Sequence, residues 1–223
     1  MQRPVITIPH GLLRHLNCDW GIDWRGQASG ESNAGITQIV NTAFPRWMGS
    51  PRIHLHNTEI AQWQAIRAQA QGQVGIYVVQ MFDPVGFPVA NPFPSGVPFD
   101  TGQPFSTGVG FEWDPVCTAE QDASAGATQI RVNTTGEGIA PNVGQIMSHN
   151  DWPFRVTWVL EVSANLYDLG VQMPMRSAIT AGDIIHYRGR GRFEAVEGGM
   201  GNAAYEHQKF SRPTLQFREV LTR

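Results

Sequence analysis

Cysteine, charge and unbroken apolar runs are all scarce in this 223-residue chain, and each shortage removes a class of protein. Two cysteines, Cys18 and Cys117, stand far apart and are too few for a disulfide framework. Free buried thiols and folding in the reducing cytoplasm are therefore expected. No apolar run nears the roughly 18 residues that span a bilayer. The opening MQRPVITIPHGLL holds neither an uninterrupted apolar core nor a small-residue cleavage site, so no signal peptide is expected. Charged residues make up only 16% and the formal net charge is −3, which argues against nucleic-acid binding by bulk electrostatics. There is no Walker loop, GxSxG, HExxH or CxxC. Gly189-Arg190-Gly191 is too short for a dinucleotide fingerprint and leads into no helix. No enzyme, cofactor or metal site is expected.

What the chain does have is glycine and proline, 24 and 15 residues, which favour turns and short strands. They concentrate in residues 84–115, the stretch around which the rest is organised. There Phe87, Phe93, Phe99, Phe105 and Phe111 recur at intervals of six, Pro92, Pro98 and Pro104 precede three of them, and Gly96, Gly102 and Gly108 keep a fixed offset. Prolines without donors and glycines free to take positive φ exclude a regular helix or central strand. Each phenylalanine gains about 1.5–3 kcal/mol from burial. The stretch therefore reads as an extended arm that orders by laying Phe side chains on a surface, either its own body or a neighbouring copy.

Before the arm, NCDWGIDWRG alternates as a half-buried strand, with Trp20, Ile22 and Trp24 on one face. GITQIVNTAF offers another strand, FPRWMGSP reads as a turn containing Trp47, and in RIHLH the pairs Ile53/Leu55 and His54/His56 take opposite faces. NTEIAQWQAIRAQAQG is the one clear helix, about 58–71. Asn57 or Thr58 is placed to cap it, Glu59 sits near the positive end of its dipole, and Gly72 is placed to end it. Its stripe of Ile60, Trp63, Ile66 and Ala70 must lie on a sheet. QVGIYVVQMF then reads as a strand buried on both faces.

Beyond the arm, CTAEQDASAG reads as a polar connector and ATQIRVNT as a strand. FRVTWVLEV puts Phe154, Val156, Trp158, Leu160 and Val162 on one face, with Val159 as the exception. LGVQMP, DIIHYR and PTLQFREVL supply more short strands. The fold expected is mostly β. Residues 1–83 form a β-sandwich packed by the helix, possibly closed by a strand at 213–221; 84–115 form the arm; 116–209 form a small β-barrel.

Candidate chemistry is thin. His54 and His56 could begin a zinc site, but no third or fourth ligand is near in sequence. His149-Asn150-Asp151 and Asp114 could be set beside Cys117 as a nucleophile, yet no catalytic signature surrounds that cysteine. Asp83, Asp100 and Asp114 lack calcium-loop spacing and suit turns. In YRGRGRFE, Arg188, Arg190 and Arg192 alternate with glycine, which fits either a grip on phosphate or carboxylate, or a flexible hairpin tip of solvated charge. The seven tryptophans suit core positions or carbohydrate platforms equally.

Several stretches together carry a resemblance. RWMGSPRIHL followed by EIAQWQAIRAQAQGQVGIYVV, then PSGVPFDTGQPFSTGVGF, AGATQIRVNTTGEGIAPNVGQIMSHNDWPFRVTWV, VQMPMRSAITAGDIIHYR and LQFREVL resemble the distal tail or baseplate structural proteins of long-tailed (siphovirus-type) bacteriophages. The likeness covers most of the chain, and it departs at the arm, where Asp is sparser. It implies a virion protein that forms a homo-hexameric ring joining the tail tube to the baseplate or hub, assembled in the host cytoplasm. Its partners would be other copies of itself, the tail tube protein and the hub or baseplate proteins. DNA would pass through the lumen only in transit, with no insertion into a membrane. The residues suited to subunit contacts are Phe93, Phe99, Phe105, Phe111, Arg188, Arg190 and Arg192. The alternative is a carbohydrate- or receptor-binding β module of the tail tip that uses exposed Trp or Tyr.

Overall fold

A computed structural model describes residues 3–12, 19–31, 37–40, 44–81, 83–205 and 209–222. Across these residues the protein is mostly β, with one α-helix and a closed barrel. In chain order the strands before the helix are β1 (Val5–Thr7), β2 (Trp20–Asp23), β3 (Gln27–Glu31), β4 (Thr37–Val40), β5 (Arg46–Gly49) and β6 (Leu55–His56). Helix α1 (Thr58–Ala70) and β7 (Ile76–Gln80) follow. Then come β8 (Val116–Ala119), β9 (Gln129–Asn133), β10 (Ile146–His149), β11 (Trp152–Ser163), β12 (Leu166–Gln172) and β13 (Ile184–His186). The last three are β14 (Arg190–Ala195), β15 (Phe210–Ser211) and β16 (Phe217–Glu219). The chain divides into two units, Met1–Met81 with Gly191–Arg223, and Phe82–Arg190.

The first unit is built on a six-stranded sheet of order β1-β7-β14-β16-β5-β2. β1 runs parallel to β7, while β14/β16, β16/β5 and β5/β2 are antiparallel. Two ribbons, β15–β6 and β3–β4, accompany it. Ile76, Tyr77 and Val79 of β7 are buried, as its near-continuous apolar run requires. β14 alternates strictly: Gly191, Phe193 and Ala195 are buried, while Arg190, Arg192 and Glu194 are half-buried. Arg190 and Arg192 thus lie on a strand inside a sheet rather than on a hairpin tip, and Arg188 lies in the bend that precedes it.

Trp47 lies fully buried in β5 and not in a turn, because RWMG pairs with both β2 and β16. The Trp20 ring crosses Gly49, where an added Cβ would come 2.3 Å from it. That close approach lets Trp20 sit 5.1 Å from Phe193 and stack 6.4 Å from Phe217.

Helix α1 buries Ile60, Trp63, Ile66 and Ala70, the stripe expected from its spacing. The Trp63 indole N–H donates to the Gly201 carbonyl at 2.7 Å, so its one polar atom is satisfied inside the core. The helix ends differ from expectation. Asn57 holds φ 44° and its side chain makes no capping bond. Instead the Glu59 carboxylate accepts from the His56 backbone N–H at 2.9 Å. At the other end Gln71 already takes the left-handed conformation, φ 51°, and Gly72 continues it at φ 68°.

The second unit holds the barrel, closed in the order β10-β11-β12-β9-β8-β13. Ile130, Val132, Met147, Phe154, Val156, Leu169, Val171 and Ile185 fill it. β8, which includes part of the supposed polar connector, contributes Cys117 and Ala119 to that core. The barrel strands stop at His186, short of the 209 expected, because β14 pairs with β16 in the first sheet. Both β14 and β16 come from the C-terminal part of the chain, on either side of the expected boundary.

The long strand β11 also departs from its sequence pattern. Its pairing with β12 slips between Val156 and Trp158, one extra residue on β11 against β12. Such a bulge exchanges the two faces of the strand downstream of it. Phe154 and Val156 point inward, but beyond the bulge it is Val159 that packs on the core while Trp158 and Leu160 face outward; the pairing slips again between Glu161 and Ser163, and Leu160 to Ser163 are all exposed. Trp158 lies over Gly170, where an added Cβ would come within 2.0 Å of its ring nitrogen.

Candidate functional site

The phenylalanine stretch is folded upon itself, not extended. In each hexad the glycine N–H donates to the carbonyl of the phenylalanine three residues earlier: Gly96 to Phe93 at 2.9 Å, Gly102 to Phe99 at 2.7 Å and Gly108 to Phe105 at 2.8 Å. Phe99 and Phe105 return bonds from their own N–H groups to Gln103 (3.0 Å) and Val109 (2.9 Å). This is the three-residue hairpin that ends on a left-handed glycine, and the glycines hold φ 78–89° accordingly. Val97 and Phe111 exchange two bonds of 2.7 Å, and Gly110 donates to Ser95 at 2.8 Å, closing the loop at its base. Gly96 and Gly110 meet there so tightly that a Cβ on Gly96 would fall 2.6 Å from the Gly110 carbonyl.

The phenylalanines then separate by role. Phe87 is buried and stacks 5.7 Å from Tyr187, and Val97 packs against the same barrel core. Phe99, Phe105 and Phe111 pack edge-on to one another, with centroids 4.8–5.3 Å apart. Such pairs add about 0.5–1.5 kcal/mol each beyond area burial. The trio nevertheless remain 43%, 39% and 50% exposed, and Phe93 on the first turn is exposed as well. The result is a preorganised apolar knob at the protein surface, with Asp100 exposed on its middle turn.

The arginines do not gather into a grip. The Arg188 guanidinium lies 4.9 Å above Trp113 and 5.9 Å from Phe87, and donates to the Trp113 carbonyl at 3.3 Å. Burial lowers its pKa, with Asp114 and Glu112 opposing. Arg188 thus clamps the root of the loop. Gly189 passes against Ile146, where a Cβ would come within 2.7 Å. Arg190 pairs with Asp151 at 2.8 Å while its backbone N–H donates to Ser148 Oγ at 3.0 Å. Arg192 belongs to the first sheet.

The remaining candidates prove to have other partners. His54 and His56 do share a side, ring centroids 4.4 Å apart, but both pack on the Phe210 ring, at 4.1 and 5.2 Å. Among the described residues no three His, Cys, Asp or Glu side chains are grouped to hold a metal. Cys117 is buried against Tyr187, and burial pushes its thiol up to about 12, far from a nucleophilic thiolate. Cys18 lies outside the described residues. Asn150 and Asp151, φ 50° and 60°, are the two central residues of the tight β10–β11 hairpin. His149 faces Asp183 at 3.3 Å, and Asp114 pairs with His186 at 2.9 Å. Asp83 caps the turn before Phe87, accepting from Val85 and Gly86.

Two surface features escaped the sequence reading. One is the outward stripe of Trp158, Leu160 and Val162, hidden because the alternation of β11 looked unbroken. The other is the Arg188–Trp113–Phe87 clamp, whose partners are far apart in sequence. The repeated F-x-[ST]-G did carry the hairpin signal that folds the arm. Compared with protein-family models and with curated proteins, the chain matches none.

Proposed function

We propose that this protein is a structural component of a long-tailed phage tail tip, a ring of identical copies that joins the tail tube to the hub or baseplate. The observation that carries the reading is the knob of Phe99, Phe105 and Phe111, three aromatic rings packed edge-on to one another with nearly half their surface in water. Aromatic anchors presented this way serve as the centre of a protein contact, and a preorganised loop loses little entropy on docking. The sheet of the first unit also ends in the short edge strands β1 and β2, which a ring would cover. In this reading that sheet and its ribbons are the two layers of a sandwich. The tail tube protein lies on one side of the ring, the hub on the other, and DNA crosses the lumen without being held. No helix among the described residues is long and apolar enough to cross a membrane.

Light scattering on the purified chain, with electron micrographs, tests the reading: six copies in a ring are expected. Replacing residues 98–110 by a short Gly-Ser link is expected to leave both units folded and the protein monomeric. A wild-type protein that stays monomeric at all concentrations would refute self-assembly.

A second reading has its own observation. Trp158 stands 42% exposed opposite Gly170 of β12, two residues along from Asp168, whose ion pair with Arg131 has bonds of 2.6 and 2.8 Å. An aromatic face next to fixed polar groups suits a sugar ring. Binding of host surface polysaccharide that is lost on Trp158→Ala, in a protein that remains monomeric, would favour that module.

A further inference from the structure

The knob has a counterpart on the same unit. Beyond the first β11 bulge, Trp158 and Leu160 face outward and Val162 follows in the second slip, 42%, 57% and 46% exposed, and together they leave an apolar stripe in water. Exposed apolar residues standing singly are ordinary, but these three are neighbours on one strand end and together offer a partner a continuous apolar surface. The loop is rooted where Trp113 and Pro115 lead into β8, and Tyr187 donates to the Pro115 carbonyl at 3.1 Å. In the closed order β10-β11-β12-β9-β8-β13, β8 and β11 are three strands apart in either direction. The root of the knob and the stripe therefore occupy opposite walls of the barrel.

We infer that the stripe on β11 is the receiver for the phenylalanine knob of a neighbouring copy. The inference rests on the self-assembly reading and specifies its contact. Scaling the roughly 150–250 Å² of an aromatic side chain by these exposures, the three Phe rings offer about 200–300 Å². The stripe offers a patch of about the same size on that scale. A knob-to-knob contact would cover one patch and leave the other in water. Knob-to-stripe covers both patches in every copy with a single kind of contact. Their sum is well short of the approximately 1,600 Å² of a standard interface, so the pair is the apolar centre and flanking surface supplies the rim. A contact between unlike surfaces on opposite walls is head-to-tail, and head-to-tail contacts close into rings when the rotation per copy divides a full turn.

Two full-length variants test this: a knob variant, Phe99→Ser with Phe105→Ser and Phe111→Ser, and a stripe variant, Trp158→Ser with Leu160→Ser. Circular dichroism and thermal melting check that each is folded. Each alone is expected to be monomeric by light scattering. Mixed one to one, they are expected to form a dimer and nothing larger, because only one intact knob and one intact stripe can meet. A second measurement does not depend on loss of assembly: Phe105→Cys in one copy and Leu160→Cys in another, both on a Cys18→Ser background, are expected to cross-link in the mixture. A stripe variant that assembles as wild type does, or Phe105→Cys cross-linking only to itself, overturns this contact and leaves self-assembly standing. A monomeric wild type overturns both.

Discussion

His149 shows how a single buried group sets a pH limit. Burial lowers its pKa below the ordinary 6.5, and Asp183 only partly offsets that. The unfolded chain therefore takes up the proton first. The stabilising contribution is present above about pH 6.5 and is lost as pH falls through the folded value. Glu194 behaves likewise in the acid range. Burial alone would raise its pKa, but hydrogen bonds from Arg218 and Arg3 outweigh this and hold it below 4.5. Its contribution is present above about pH 4.5 and lost below. Melting curves should thus show a first decline below pH 6.5 that His149→Gln abolishes, and a later one that Glu194→Gln abolishes. Gly49→Ala should cost about 1–3 kcal/mol by denaturant titration, since its methyl would enter the Trp20 ring. None of these was legible in the sequence: Asp183 lies 34 residues from His149, Arg218 24 from Glu194 and Trp20 29 from Gly49.

Local elements were read well where one periodicity ran unbroken. The stripe on α1 emerged whole because four residues at helical spacing have only one face to share. β11 misled because a bulge leaves no mark in composition: one extra backbone residue exchanges the faces beyond it, and the apparent exception, Val159, is the residue that belongs to the core. Val159→Ser should therefore destabilise by about 1 kcal/mol or more, and Leu160→Ser by less than about 0.5 kcal/mol, the reverse of what unbroken alternation implies. The hexads of the loop were visible, but their destination was not, since three phenylalanines can satisfy one another as readily as a distant surface. Gly102→Ala must hold a left-handed φ of 78° in open space, whereas Gly96→Ala adds a clash with Gly110. Limited proteolysis of the loop should accelerate slightly for the first and strongly for the second.

At the scale of the whole molecule the chain is interleaved, with the barrel inserted into the unit that precedes and follows it. Composition marks the Pro/Gly-rich stretch as a boundary, but it gives no hint that β14 returns, because strand partners are chosen by shape across about 110 residues. Residues 82–190 expressed alone should give dispersed amide spectra and a cooperative melt. Residues 1–81 alone should not, as β7 would lack β14 and β5 would lack β16. Adding 191–223 in trans should restore folding.

The chain leaves the first sheet from β7 and re-enters it as β14, and these two strands are bonded neighbours. The barrel is consequently moored by two adjacent cords, each flanked by a further strand, β1 or β16. Any pull on the barrel therefore meets rows of hydrogen bonds that must yield together.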